Sequence, residues 1–155
     1  MYRGISWCAA LCAVLSGHVA AALAASSTNA CALISAGEIM KATGLAVSEG
    51  KPGAPIPGVL GRCTWGGPGN SRVILTLADS QHMRATVEAQ QASGGTPLSG
   101  PGSKAVGIKG APVAGGGYII SVLDAEGGFG VSILGSEGTP DRVLALAKLV
   151  ESHRH

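Results

Sequence analysis

Of the four cysteines in this 155-residue chain, Cys8 and Cys12 fall inside an apolar N-terminal stretch, and Cys31 and Cys63 lie beyond it. With that stretch removed on export, the remaining two thiols share an oxidising compartment and are expected to pair. A bond between them is a staple on the N-terminal half, worth about 3–4 kcal/mol by chain entropy, less any native strain. It joins whatever follows Cys31 to the segment Cys63-Thr64-Trp65. Residues two apart on an extended strand share a side, so Trp65 is placed to shield the bond. A redox-active or metal-binding pair would call for a Cys-x-x-Cys spacing, which these two do not have.

The export signal is explicit. Met1-Tyr2-Arg3 carries one positive charge, Ile5 to Leu15 is small and apolar, and Ala22-Leu23-Ala24 is a small-residue cleavage motif. Residues 1–24 therefore read as a cleavable signal peptide, with Ala22 and Ala25 as neighbouring cleavage points, and residues 25–155 as one exported domain. Ser16, Gly17 and His18 interrupt the apolar run before it reaches the roughly 18 residues of a membrane-spanning helix. A lipidation site needs a Leu-like residue three positions before its cysteine, and neither Cys31, after Thr28-Asn29-Ala30, nor Cys12, after Ala9-Ala10-Leu11, has one. The expectation is a periplasmic or extracellular protein with no stable membrane insertion.

Arg3 leaves with the leader, so ten of the eleven Lys and Arg remain against nine Asp and Glu. These basic residues are scattered, without runs or interleaved aromatics. A balance near neutrality gives no electrostatic footprint for nucleic acid or an anionic membrane.

The length beyond the leader suits one domain with a real core. Trp65, Tyr118 and Phe129 are its aromatic residues, so that core must be aliphatic. Ser35-Ala36-Gly37-Glu38 is a capping box, Ile34 and Ile39 stand at the staple positions, and Gly44 suits C′, which predicts a helix over 36–43. A short strand at 45–48 and a Gly/Pro loop over 50–61 follow. Strands are expected at 63–65 and 72–78, then a helix capped by Asp79 or Ser80 and running to Ala92 before Gly94-Gly95. Further strands read at 105–108, 118–123 and 129–134, the last two joined by the turn 124–128. Thr139 with Pro140 at N1 opens a last helix over 140–152.

The order α-βββ-α-βββ-α predicts an α+β fold: a largely antiparallel sheet of about six strands with the helices on one face. A faint echo supports an internal pseudo-repeat, since Val73 and Arg84 are spaced like Val131 and Arg142.

The pattern Cys31-Ala32-Leu33-Ile34-Ser35-x-x-Glu38, then Gly44, then Cys63-Thr64-Trp65, resembles a broad group of small exported bacterial domains of unknown function. Many of these are actinobacterial lipoproteins. Gly102-Ser103-Lys104-Ala105-Val106 matches a further segment of that group, so the resemblance spans most of the chain beyond the leader. It implies a shared structural frame and no activity, and the missing lipidation site departs from the lipoprotein members.

Chemistry-bearing motifs are sparse. Ser48-Glu49-Gly50-Lys51 matches Ser-x-x-Lys, but Gly50 and Pro52 oppose the helix that this nucleophile motif needs, and its partner motifs are missing. Asp79 and His82 share a first helical turn, with capping the simpler role for Asp79. His153-Arg154-His155 ends a helix in the way that positive residues suit its dipole. The clusters Gly115-Gly116-Gly117 and Gly127-Gly128-Phe129-Gly130 lack the context of a phosphate loop and read as turns. No catalytic set, metal site or cofactor site is expected.

Strand alternation separates two faces. Val73, Leu75, Leu77, Tyr118, Ile120, Val122, Val131 and Ile133 form one set, expected to be the helix-covered core. The other runs Arg72, Ile74, Thr76, Ile119, Ser121, Leu123, Ser132 and Leu134, which is too apolar for a face washed by water. Either a helix or loop covers it, or it binds something. The leading expectation is a non-enzymatic domain binding a protein, a small ligand or a second copy of itself there, with Ile74, Thr76, Ile119, Ser121, Leu123, Ser132 and Leu134 as the contact set. The alternative is an envelope hydrolase, or an inhibitor of an envelope enzyme, the former gathering Ser48, Lys51, Asp79 or His82 in one cleft.

Overall fold

The structure, a computed structural model, describes residues 29–102, 104–112 and 115–154; the expected signal peptide over 1–24, Ser103 and His155 lie outside them. The capping box at Ser35 is closed in both directions. Glu38 N–H donates to Ser35 Oγ at 3.3 Å, and Ser35 N–H donates to Glu38 Oε2 at 2.8 Å. Helix α2 (Ala36–Thr43) follows, and Gly44 ends it at φ 74°, donating its N–H to the Met40 carbonyl. One turn earlier, α1 (Ala30–Leu33) is capped by Asn29, whose side chain accepts from Cys31 N–H.

Seven strands make one sheet: β1 (Lys51–Pro52), β2 (Val59–Gly66), β3 (Arg72–Ala78), β4 (Thr96–Leu98), β5 (Lys104–Lys109), β6 (Gly117–Asp124) and β7 (Gly127–Leu134). Helix α3 (Ser80–Ala92) follows β3, and α4 (Pro140–Ser152) follows β7. The order is β1-β2-β3-β7-β6-β5-β4, every pair antiparallel. The α+β class and the antiparallel sheet are thus as the sequence predicts. The sheet is wider than about six strands because β1 and β4 close its two edges. Both are two or three residues long and contain a proline, which an edge strand tolerates because its outward N–H has no ladder partner. Segment 45–48 forms no strand of its own, although Ser48 N–H donates to the Gly66 carbonyl at 2.8 Å.

The core face is the one expected. Cys63 and Trp65 of β2, Val73 and Leu75 of β3, Val131 and Ile133 of β7, and Ile120 and Val122 of β6 are all buried. Ile34 and Ile39 pack on them from the α1–α2 region, and Val143, Leu146, Ala147 and Val150 from α4. Each such aliphatic side chain contributes about 1.5–3 kcal/mol by leaving water.

The helices do not all lie on one face. Met83 and Val87 of α3 pack with Ala78, Val106 and Leu123, on the opposite side of the sheet. The architecture is three-layered, with α1, α2 and α4 on one side and α3 on the other. The two strand-to-helix crossings behind the sequence echo therefore send their helices to opposite faces, and the halves do not superpose as copies. Helix α4 is tied down at its end by an Arg154–Asp124 ion pair at 2.8 Å, with the guanidinium over the Phe129 ring.

Candidate functional site

Helix α3 covers only part of the second face. It starts beyond the end of β3, where Asp79 Oδ1 caps it by accepting from His82 N–H at 2.7 Å. Its apolar stripe, Met83 and Val87, lands at the Ala78–Leu123 end of the sheet. The adjacent stripe at i, i+4 and i+8, His82, Thr86 and Gln90, is left facing along the sheet. Together with Thr76, Ile119, Ser121, Gly130 and Ser132 it encloses a hollow of about 170 Å³.

The floor of this hollow is made of small residues in mutual register. Thr76 pairs with Gly130, which pairs with Ser121; Ile74 pairs with Ser132, which pairs with Ile119. A packed second layer would need Val, Leu or Ile at these central positions, and Ser and Gly leave space instead. Ser121 and Ser132 are buried, at 2% and 8% exposure, and share the lining of the hollow with Met83 of α3. Gln90 Oε1 is also buried and accepts no hydrogen bond among the described residues, whereas Thr86 Oγ1 donates to the His82 carbonyl at 2.9 Å.

Of the seven residues expected on this face, Thr76, Ile119, Ser121 and Ser132 line the hollow. Ile74 and Leu134 continue the same face beyond it, each half-buried, and Leu134 pairs with Arg72. Leu123 lies elsewhere, packed against the cluster beneath α3. The wall residues His82, Thr86 and Gln90 are absent from the expected set. Their four-residue spacing beside the Met83–Val87 stripe is the signal that locates them, once α3 is known to cross this face.

The expected disulfide is present: Cys31 and Cys63 are joined at 1.97 Å with Cα atoms 5.0 Å apart. A Cβ placed on Gly50 would lie 2.5 Å from Cys63 Sγ and 2.7 Å from Trp65 Nε1. Sulfur and indole therefore meet at one point beneath the Gly50 backbone, in line with the shielding read from the strand.

The set Ser48, Lys51, Asp79 and His82 is not gathered in one cleft. Ser48 bonds to Gly66 at one end of β2, while Asp79 N–H donates to Gly58 at the other. The length of β2 separates them by roughly 20 Å. Lys51 pairs with Thr64 on the sheet edge. His153 instead pairs with Glu38 at 3.0 Å, across α4 and α2. Glu38 is held below the ordinary carboxylate range chiefly by the Ser35 hydroxyl, then by the Ser35 N–H, with His153 adding attraction. Among the described residues no group of three His, Cys, Asp or Glu is placed to hold a metal ion, and no helix is long and apolar enough to cross a membrane. No family model, curated protein or solved structure matches the chain.

Proposed function

We propose that this protein is an exported, non-enzymatic binding domain that engages a partner or small ligand through the uncovered part of its second sheet face. The observation that carries this reading is the hollow beside α3. Central strands that elsewhere bury Val, Leu and Ile here present Ser121, Gly130 and Ser132, with the apolar side chains of Ile74, Ile119 and Leu134 alongside. Hydroxyls and aliphatic groups mixed in a concave site suit recognition. The disulfide supports placing the protein in an oxidising compartment.

Sedimentation and apolar-dye binding of the wild type beside Ile119→Asp test this. The wild type is expected to bind dye or self-associate, and the variant, still folded by circular dichroism, to lose that property. A monomeric wild type that binds no dye, with a variant that merely unfolds, makes the face ordinary core and ends the proposal.

A further inference from the structure

A second hollow, where α1 meets the β1–β2 edge of the sheet, carries different chemistry. It measures about 390 Å³, within the range of small-molecule sites. Asn29 forms one wall, Pro52 and Pro55 another, and Leu60 and Arg62 of β2 a third. The Cys31–Cys63 bond holds the first wall to the third, since each cysteine lies within two residues of a lining residue.

Arg62 is the one charged residue lining this space, and no carboxylate does. It joins none of the ion pairs among the described residues. The Cβ, Cγ and Cδ of its stem crowd Gly53, where an added Cβ would come within 3.2 Å of all three. Its Nε is buried and has no acceptor among the described residues. With Nε closed off, the terminal Nη–H groups are the donors that this unpaired guanidinium can offer, and a carboxylate is the partner that its charge and planar geometry favour. Asn29 Oδ1 already accepts from Cys31 N–H at 3.1 Å, which leaves its amide N–H groups as donors.

We infer that this hollow binds a small monocarboxylate with an apolar body. The carboxylate sits on Arg62 with Asn29 as second donor, and the body lies against Pro52, Pro55 and Leu60. This inference is independent of the sheet-face reading and stands or falls separately.

The test uses the full chain with its disulfide intact, followed by amide chemical shifts during titration with octanoate and, separately, octanol. Octanoate is expected to give saturable shifts centred on Asn29, Leu60 and Arg62, and to bind at least about tenfold more tightly than octanol. Arg62→Gln should remove that preference, and the octanoate–octanol comparison on the wild type keeps the test valid if this variant folds poorly. N-acetyl-leucine, run beside octanoate, separates an amino-acid-derived acid from a fatty acid, and tight binding of either supports the proposal. Shifts that do not saturate, shifts centred elsewhere, or equal affinity for octanol would mean that water alone satisfies Arg62, and would overturn it.

Discussion

Gly50 passes over the disulfide and the indole so closely that a single added methyl would overlap both Cys63 Sγ and Trp65. Its backbone is not left-handed, so the demand on glycine there is one of space alone. Gly50→Ala is expected to lower stability by about 1–3 kcal/mol, the usual effect of overpacking, read as a shift in the urea midpoint. The cysteine pair and the side of the strand that Trp65 takes were legible in the sequence, because alternation fixes them. Gly50 was not, since in a Gly/Pro-rich loop nothing separates a glycine needed for turning from one needed for closeness. Arg62 escaped notice for a similar reason: an isolated basic residue on a strand reads as solvated until its Nε is seen to be buried. At Glu38 the Ser35 bonds and His153 favour the ionised form, so the folded value lies below the ordinary 4.5. The stability this supplies is complete above that ordinary value and is lost as pH falls through the lower folded one. Glu38→Gln should therefore flatten the fall in stability on acidification, measured by urea unfolding at steps between about pH 6 and about pH 3.

The elements were legible where their ends carry chemistry. The boundaries of α2, α3 and α4 follow from Ser35, Gly44, Asp79 and Pro140, each of which satisfies or dispenses with a terminal backbone group. Asp79→Ala should cost about 1 kcal/mol, through the lost bond to His82 N–H, and calorimetry would register it as a lower Tm. Thr139 stands at the N-cap of α4 but makes no side-chain capping bond, so Thr139→Ala should change the Tm much less. Edge strands β1 and β4 escaped the reading because two or three residues give alternation too little length to show. The face taken by α3 escaped it for a deeper reason. Strand alternation reports which residues share a side, and it is silent on which side the chain takes after leaving the sheet. The mixed character of Arg72, Ile74, Thr76, Ser121 and Leu123 was a real signal, since half of that face lies under a helix and half does not.

Across the whole molecule, β1-β2-β3 and β4-β5-β6-β7 are each a run of strands in which sequence neighbours are also sheet neighbours. The two runs meet along β3 and β7, from Arg72↔Leu134 to Ala78↔Gly128. Helix α3 of the first half packs on β5, β6 and β7 of the second, while α4 packs both on β6 and β7 of its own half and on α2 of the first. The disulfide lies wholly within the first half. The chain is therefore two runs of strands held together along β3–β7 and by helix contacts that cross between them, and the exposed Gly94, at φ 86°, lies on the link between α3 and β4. Cut there by a protease, the protein should stay in one piece on a sizing column with its circular dichroism intact. Made apart and mixed, the two fragments should find each other and rebuild the fold, so that this small protein would behave as a heterodimer written on a single chain.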